Sequence, residues 1–142
     1  MKNNAKINWT VTLFVVLSHL AALLGTLALL IYAKPANATW ALFFILWAIT
    51  GISITAGYHR LFAHQTYQAN RLVQWFFACF GAANFQGSIL EWSADHRYHH
   101  RYTDTDQDPY SINKGFWHAH FLWLFRLDES KRDFSIVEDL QA

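Results

Sequence analysis

Hydrophobic positions fall in two long unbroken runs at the start of the chain and in shorter, interrupted ones afterwards. Trp9 to Ala33, WTVTLFVVLSHLAALLGTLALLIYA, contains no Lys, Arg, Asp or Glu. A helix needs about 20 such residues to cross a bilayer, so a span is predicted at 9–33. A secretory signal would have a shorter apolar core followed by a small-residue cleavage site. Here a second run comes at once, after the proline-containing turn KPANA. Thr39 to Tyr58, TWALFFILWAITGISITAGY, is again uncharged and predicts a second span at 39–58. Two spans and a short turn predict a transmembrane helical hairpin with both ends on one side. Lys2 and Lys6 before it, and Arg60 and Arg71 after it, outnumber Lys34 in the turn. The positive-inside rule then places both ends in the cytoplasm.

A third uncharged run, Leu72 to Leu90, is long enough to span but is interrupted by Gln74, Gly81, Asn84, Gln86 and Gly87. The patch Gly115 to Leu127, GFWHAHFLWLFRL, is too short to cross and places Trp117 and Trp123 at headgroup level. Composition agrees with a membrane protein. Hydrophobic residues make up 54% of the 142 and charged residues only 15%, against roughly 25% charged in an ordinary soluble domain. All ten acidic residues lie from Glu91 onward, so the polar chemistry is confined to 91–142. A net charge of +1 without a basic run gives no sign of a nucleic-acid partner. The single cysteine, Cys79, excludes an internal disulfide.

The polar part carries an unusual density of histidine. In EWSADHRYHHRYTDTDQDP, His96, His99 and His100 fall within five positions. At 100° per residue they lie at about 0°, 300° and 40°, so one helix face presents all three. Neutral imidazole is the commonest protein metal ligand. Upstream, YHRLFAH supplies His59 and His64. Five positions apart, these two cannot share a face of a regular α-helix, and a helix end or local break is expected there. Two clusters just beyond a membrane hairpin point to a metal site. Asp95, Asp104, Asp106 and Asp108 are placed to accept the outer N–H of ligating imidazoles, although TDTDQDP is also turn chemistry. His19, inside the first span, is expected to bond to a helix neighbour, and His118 and His120 to pack. Neither a His-Glu-x-x-His nor a thiolate cluster occurs; an all-imidazole set suits iron, copper, zinc or nickel. If the two clusters share a site, the run at 72–90 cannot cross the membrane. It must lie in the interface or re-enter. The residues thus predict an all-α membrane protein with spans at 9–33 and 39–58, an interfacial or re-entrant segment at 72–90, and a cytosolic helical metal-box region at 91–142.

HRLFAH followed some 30 residues later by EWSADHRYHH resembles the membrane-bound fatty acyl-CoA desaturases of the delta-9, stearoyl-CoA type. GYHRLFAH is similar to that family's first histidine box, NFQGSILEWSADHRYHHRYTDTDQDPY to its second, and SINKGFWHAHFLWL to the segment after it. The resemblance implies a partial desaturase fold and an oxidoreductase that uses O2 to place a cis double bond, at carbon 9, in a saturated acyl-CoA or acyl lipid. It implies two Fe ions, with His59, His64, His96, His99 and His100 among the ligands. It also implies an electron donor, ferredoxin or cytochrome b5 with a reductase. Asp95, Arg97, Arg101 and Trp92 are expected beside the ligands or near the substrate head. Where animal members carry a basic residue before Asp95, this chain has Ala94. The resemblance also implies nine or ten ligands for two irons, of which five are matched here. The expectation is an N-terminal part of a longer enzyme, inactive alone, located in a bacterial inner membrane. The competing readings are a non-catalytic, truncated membrane protein that binds metal and a zinc-dependent membrane hydrolase.

Overall fold

A computed structural model describes residues 6–141. Lys2, counted in the charge bias above, lies outside them. The described residues form helices joined by loops and turns, without a strand. The chain forms two compact units, one of residues 1–41 with 104–130, the other of 42–103 with 131–142.

The first unit is built on helix α1, Trp9–Tyr32. Asn8 caps it: its side-chain oxygen accepts from the Val11 N–H at 3.1 Å, and its own N–H donates to the Phe125 carbonyl at 2.7 Å. The start of α1 is thereby tied to the run of short turns at 118–126. No residue of α1 is buried, and Leu17, Leu24 and Ile31 are each at least 60% exposed. A 24-residue helix is about 36 Å long, against about 30 Å of hydrocarbon in a bilayer. An apolar rod of that length with no packed face has lipid as its natural solvent. His19 Nδ1 lies 2.7 Å from the Val15 carbonyl one turn back, so the histidine satisfies itself within its own helix. His118 bonds the Pro109 carbonyl at 2.8 Å, and His120 bonds Phe116 O and stacks on its ring at 3.9 Å. Both pack, as their spacing predicts. Asp108, fully buried, accepts from the N–H groups of Asp104 and Tyr110 at 3.0 and 3.1 Å. The acidic run is therefore a turn held from inside by one carboxylate.

Helix α2, Asn37–Ile52, enters the second unit at Leu42 and runs without a break into a π-helical segment, Ser53–Ala63, on which that unit is built. The combined 27-residue rod is also long and apolar enough to cross a membrane. It extends five residues beyond the span expected at 39–58. Helix α3, Arg71–Ala82, and helix α4, Ile89–Tyr102, both pack on the π-helical segment. The uncharged run at 72–90 is thus not one helix. Phe85 and Gly87 take left-handed φ values of 56° and 89° and break it. At 12 residues α3 is about 18 Å long, too short to cross.

Two glycines set the closeness of this packing. A Cβ on Gly57 would lie 2.6 Å from Phe77 Cβ, and one on Gly81 only 2.2 Å from Tyr58 Cε1. Tyr58 is 1% exposed and is wedged between α3 and α4, edge-on to Trp92 at 6.1 Å. The rod also offers carbonyls, on either side of the point where it widens, that side chains take up. The Asn84 amide donates to Thr50 O at 2.6 Å and the Tyr67 hydroxyl to Ala56 O at 2.8 Å. These bonds anchor the loop at 64–70 and the turn at 83–88 to the rod.

Gly81→Ala should therefore cost about 1–3 kcal/mol by overpacking against Tyr58. Gly25→Ala in α1, with nothing within 4 Å of the added carbon, should leave stability unchanged or slightly raised. Thermal melts followed by helical circular dichroism in detergent separate the two; equal melting temperatures would contradict the packing.

Candidate metal centre

The spacing that a regular helix cannot use is the spacing of a π-helix. Its backbone bonds run from residue i to i+5, and the wider turn brings residue i+5 back above residue i. His64 N–H donates to the His59 carbonyl at 2.9 Å, a bond of that register. The two rings consequently meet, with centroids 4.6 Å apart. The expected local break is thus a widening that keeps the helix continuous.

Helix α4 supplies the facing pair. Ser88 caps it: Ser88 Oγ accepts from Glu91 N–H at 3.2 Å, and Glu91 Oε2 accepts from Ser88 N–H at 2.8 Å. That reciprocal pair is a capping box, and Glu91 also favours the positive end of the helix. Packed across the π-helical segment, α4 brings His96 and His100 to His59 and His64. One potential ligand nitrogen from each of the four lies within 4.8 Å of the others. His96 is the hub, with Nε2 3.0 Å from His64 Nε2 and 3.2 Å from His100 Nε2. His99 stands beside the quartet, its ring centroid 6.3 Å from that of His96 and 5.3 Å from that of His100.

This arrangement fits a metal ion better than it fits hydrogen bonds. A ring nitrogen carries one proton or one lone pair, so His96 Nε2 satisfies one such neighbour well and not two. Two imidazole nitrogens bound at about 2.1 Å to a common ion stand roughly 3.0–3.4 Å apart, which is the separation observed. Three of the four rings are shifted toward the neutral form that binds metal. The pKa of His96 is pushed down to about 3, first by burial and then by the imidazoles of His100, His59, His64 and His99. Burial and neighbouring imidazoles lower those of His64 and His100 as well, with Arg97 adding to the effect at His64.

The residues flanking His96 fix its position. Trp92 stacks on the His96 ring at 4.7 Å and donates its indole N–H to Gln86 Oε1 at 3.1 Å. Arg97 spends all five of its N–H donors. They go to the carbonyls of Phe62, Ala63 and Ile136 and to both carboxylate oxygens of Asp139. It therefore closes the end of the π-helical segment and leaves no N–H for a substrate head. Asp95 receives a two-pronged bond from Arg132, at 2.8 and 2.9 Å. Arg101 is exposed in the last turn of α4, where its charge suits the helix dipole. Ala94 is only 1% exposed. Sequence reading missed Arg132 and Asp139, since nothing local marks two charged residues 37 and 42 positions away as partners. The Ser88-x-x-Glu91 capping signal was there to be read.

The sequence pattern of the fatty acid desaturases matches residues 35–138, which include His59, His64, His96, His99 and His100 together with Trp92, Arg97 and Arg132. The chain belongs to the fatty acid desaturase family. The probable acyl-CoA desaturase of Schizosaccharomyces pombe is 47% identical over 114 residues, 79% of this chain and 24% of that protein. Stearoyl-CoA desaturase 5 of Bos taurus is 41% identical over 117 residues, 82% of this chain and 34% of that protein. The sn-1 stearoyl-lipid 9-desaturase of Anabaena variabilis is 36% identical over 132 residues, 90% and 46% respectively. This desaturase chain thus spans from about a quarter to just under half the length of these relatives. Membership of the family and two long apolar helices make it a membrane protein.

The lowered imidazole pKa values have a defined consequence for stability. The unfolded chain takes up protons below about pH 6.5, whereas His64, His96 and His100 in the folded chain resist them until lower pH. The contribution is favourable above pH 6.5 and is lost as pH falls through and below it. The metal-free desaturase chain should melt at a lower temperature at pH 5 than at pH 7.5. His96→Gln should flatten that dependence, and an unchanged slope would remove the quartet as its source.

Proposed function

We propose that this chain supplies the first part of the catalytic centre of an O2-dependent fatty acyl desaturase. His59, His64, His96 and His100 would hold iron, with His99 beside them as a fifth ligand for a two-iron centre. The observation that carries this reading is the convergence of four imidazoles, three of them by Nε2, in a chain of the desaturase family. When bound, the iron pair supplies with O2 the oxidising power needed to take two hydrogens from an unactivated saturated acyl chain, giving a cis double bond.

The chain's own residues prepare the place for that chemistry. The π-helical segment and α4 hold the four rings together. Trp92, Tyr58 and the packed α3 wall one side of the site with apolar surface, which keeps water from competing there. Helix α3 would lie in the interface, with Leu72, Trp75 and Phe76 exposed toward lipid, and the histidines would lie on the cytoplasmic side of a bacterial inner membrane. The substrate would be a saturated acyl-CoA or acyl lipid, since relatives of both descriptions are similar to this chain. Electrons would come from ferredoxin or cytochrome b5 with a reductase. Turnover would require the further ligands that the family's two-iron site uses.

The test is substitution in the longest protein that carries this sequence, expressed in cells whose acyl chains are then measured. His96→Ala, His99→Ala and His100→Ala should each lower unsaturated product at least 100-fold at unchanged protein level. Retained product in all three would overturn the ligand assignment.

A further inference from the structure

The two residues either side of His96 are each gripped from the same distant segment. Asp95 is held by Arg132 through Nε and Nη2, and Arg132 Nη1 reaches Glu91 Oε1 at 3.2 Å. Arg97 is held by Asp139 through two contacts of 2.6 and 3.0 Å. Asp139 also accepts from the Gln65 side-chain amide, in the residue next to His64. Between the two grips Val137 is fully buried and the Ile136 carbonyl accepts from Arg97. Asp95 and Arg97 leave the helix about 100° to either side of His96. Forked guanidinium–carboxylate pairs on both flanks oppose rotation of α4 in either sense.

The charges make the Arg132 grip more than a surface pair. Glu91 and Asp95 are one turn apart on α4, and like charges at that spacing repel. The Arg132 side chain is 8% exposed and lies against both carboxylates. Its loss would leave two adjacent negative charges without their shared cation.

We infer that residues 132–139 form a clasp that sets the rotation of α4, and that Arg132 and Asp139 are positioning residues for the His96–His64–His100 arrangement. This rests on reading the quartet as a metal site. The clasp holds the site's geometry rather than contacting the ion. A forked bond fixes direction where a single ammonium contact does not, so charge alone is insufficient at position 132.

The experiment titrates cobalt(II) into the whole chain in lipid nanodiscs and follows its d–d absorption. A parallel hydrogen-exchange measurement uses the metal-free chain. Arg132→Gln and Asp139→Asn should speed exchange of α4 amides at least tenfold while leaving α3 unchanged. Both should weaken cobalt binding at least tenfold and alter the band shape. Arg132→Lys, which keeps the charge, should recover the melting temperature but not the wild-type band shape or affinity. Wild-type affinity and band shape in Arg132→Lys and Asp139→Asn would overturn the inference, as would unchanged α4 exchange in Arg132→Gln. Failure of the unsubstituted chain to bind cobalt would sink the metal reading instead, and the α4 exchange would still decide the clasp.

Discussion

Everything at the histidine site depends on one backbone register. The bond from His64 N–H to the His59 carbonyl spans five residues, and the helix that carries it is correspondingly wide. A π-turn is less favourable than an α-turn for an isolated chain, because its backbone packs less closely around the axis. It persists here because neighbouring elements are fitted to it. Phe77 and Tyr58 interlock where Gly57 and Gly81 have no side chain. Asn84, Tyr67 and Arg97 take up carbonyls along its length. The strained element and its supports form one cooperative piece.

That cooperation explains what the sequence disclosed. The two long apolar helices were legible because lipid imposes length and composition directly. His96, His99 and His100 were legible as a face because an α-helix has a fixed period. His59 and His64 were legible as chemistry but not as geometry. Helical period is itself the quantity that tertiary packing changed, and no local residue announces a π-register. The break after α3 was indicated by Asn84, Gln86 and Gly87. Arg132 and Asp139 could not be read at all, since their meaning comes only from partners brought near by folding. Arg97 was noticed for its charge near the histidines. The structure uses that charge to join α4 to the end of the π-helical segment.

The division of labour among charged groups follows from the same geometry. Close to the imidazoles the side chains are aromatic or neutral, and protons are kept away by burial and by the rings themselves. The full charges lie one layer out, in forked pairs whose donors are consumed by protein acceptors. A guanidinium with an unspent N–H beside the quartet would compete with metal for the same electrostatic role. Placing Arg97 in a saturated network removes that competition while keeping its stiffness.

The helix that carries His59 begins more than twenty residues before it and has the length and composition of a membrane rod. No hinge, proline or loop interrupts it between Asn37 and Ala63. A rod of fixed length meets a bilayer of different thickness by tilting. In a bilayer a change of tilt would carry α3, α4 and the imidazoles together, because all are packed on the same π-helical segment.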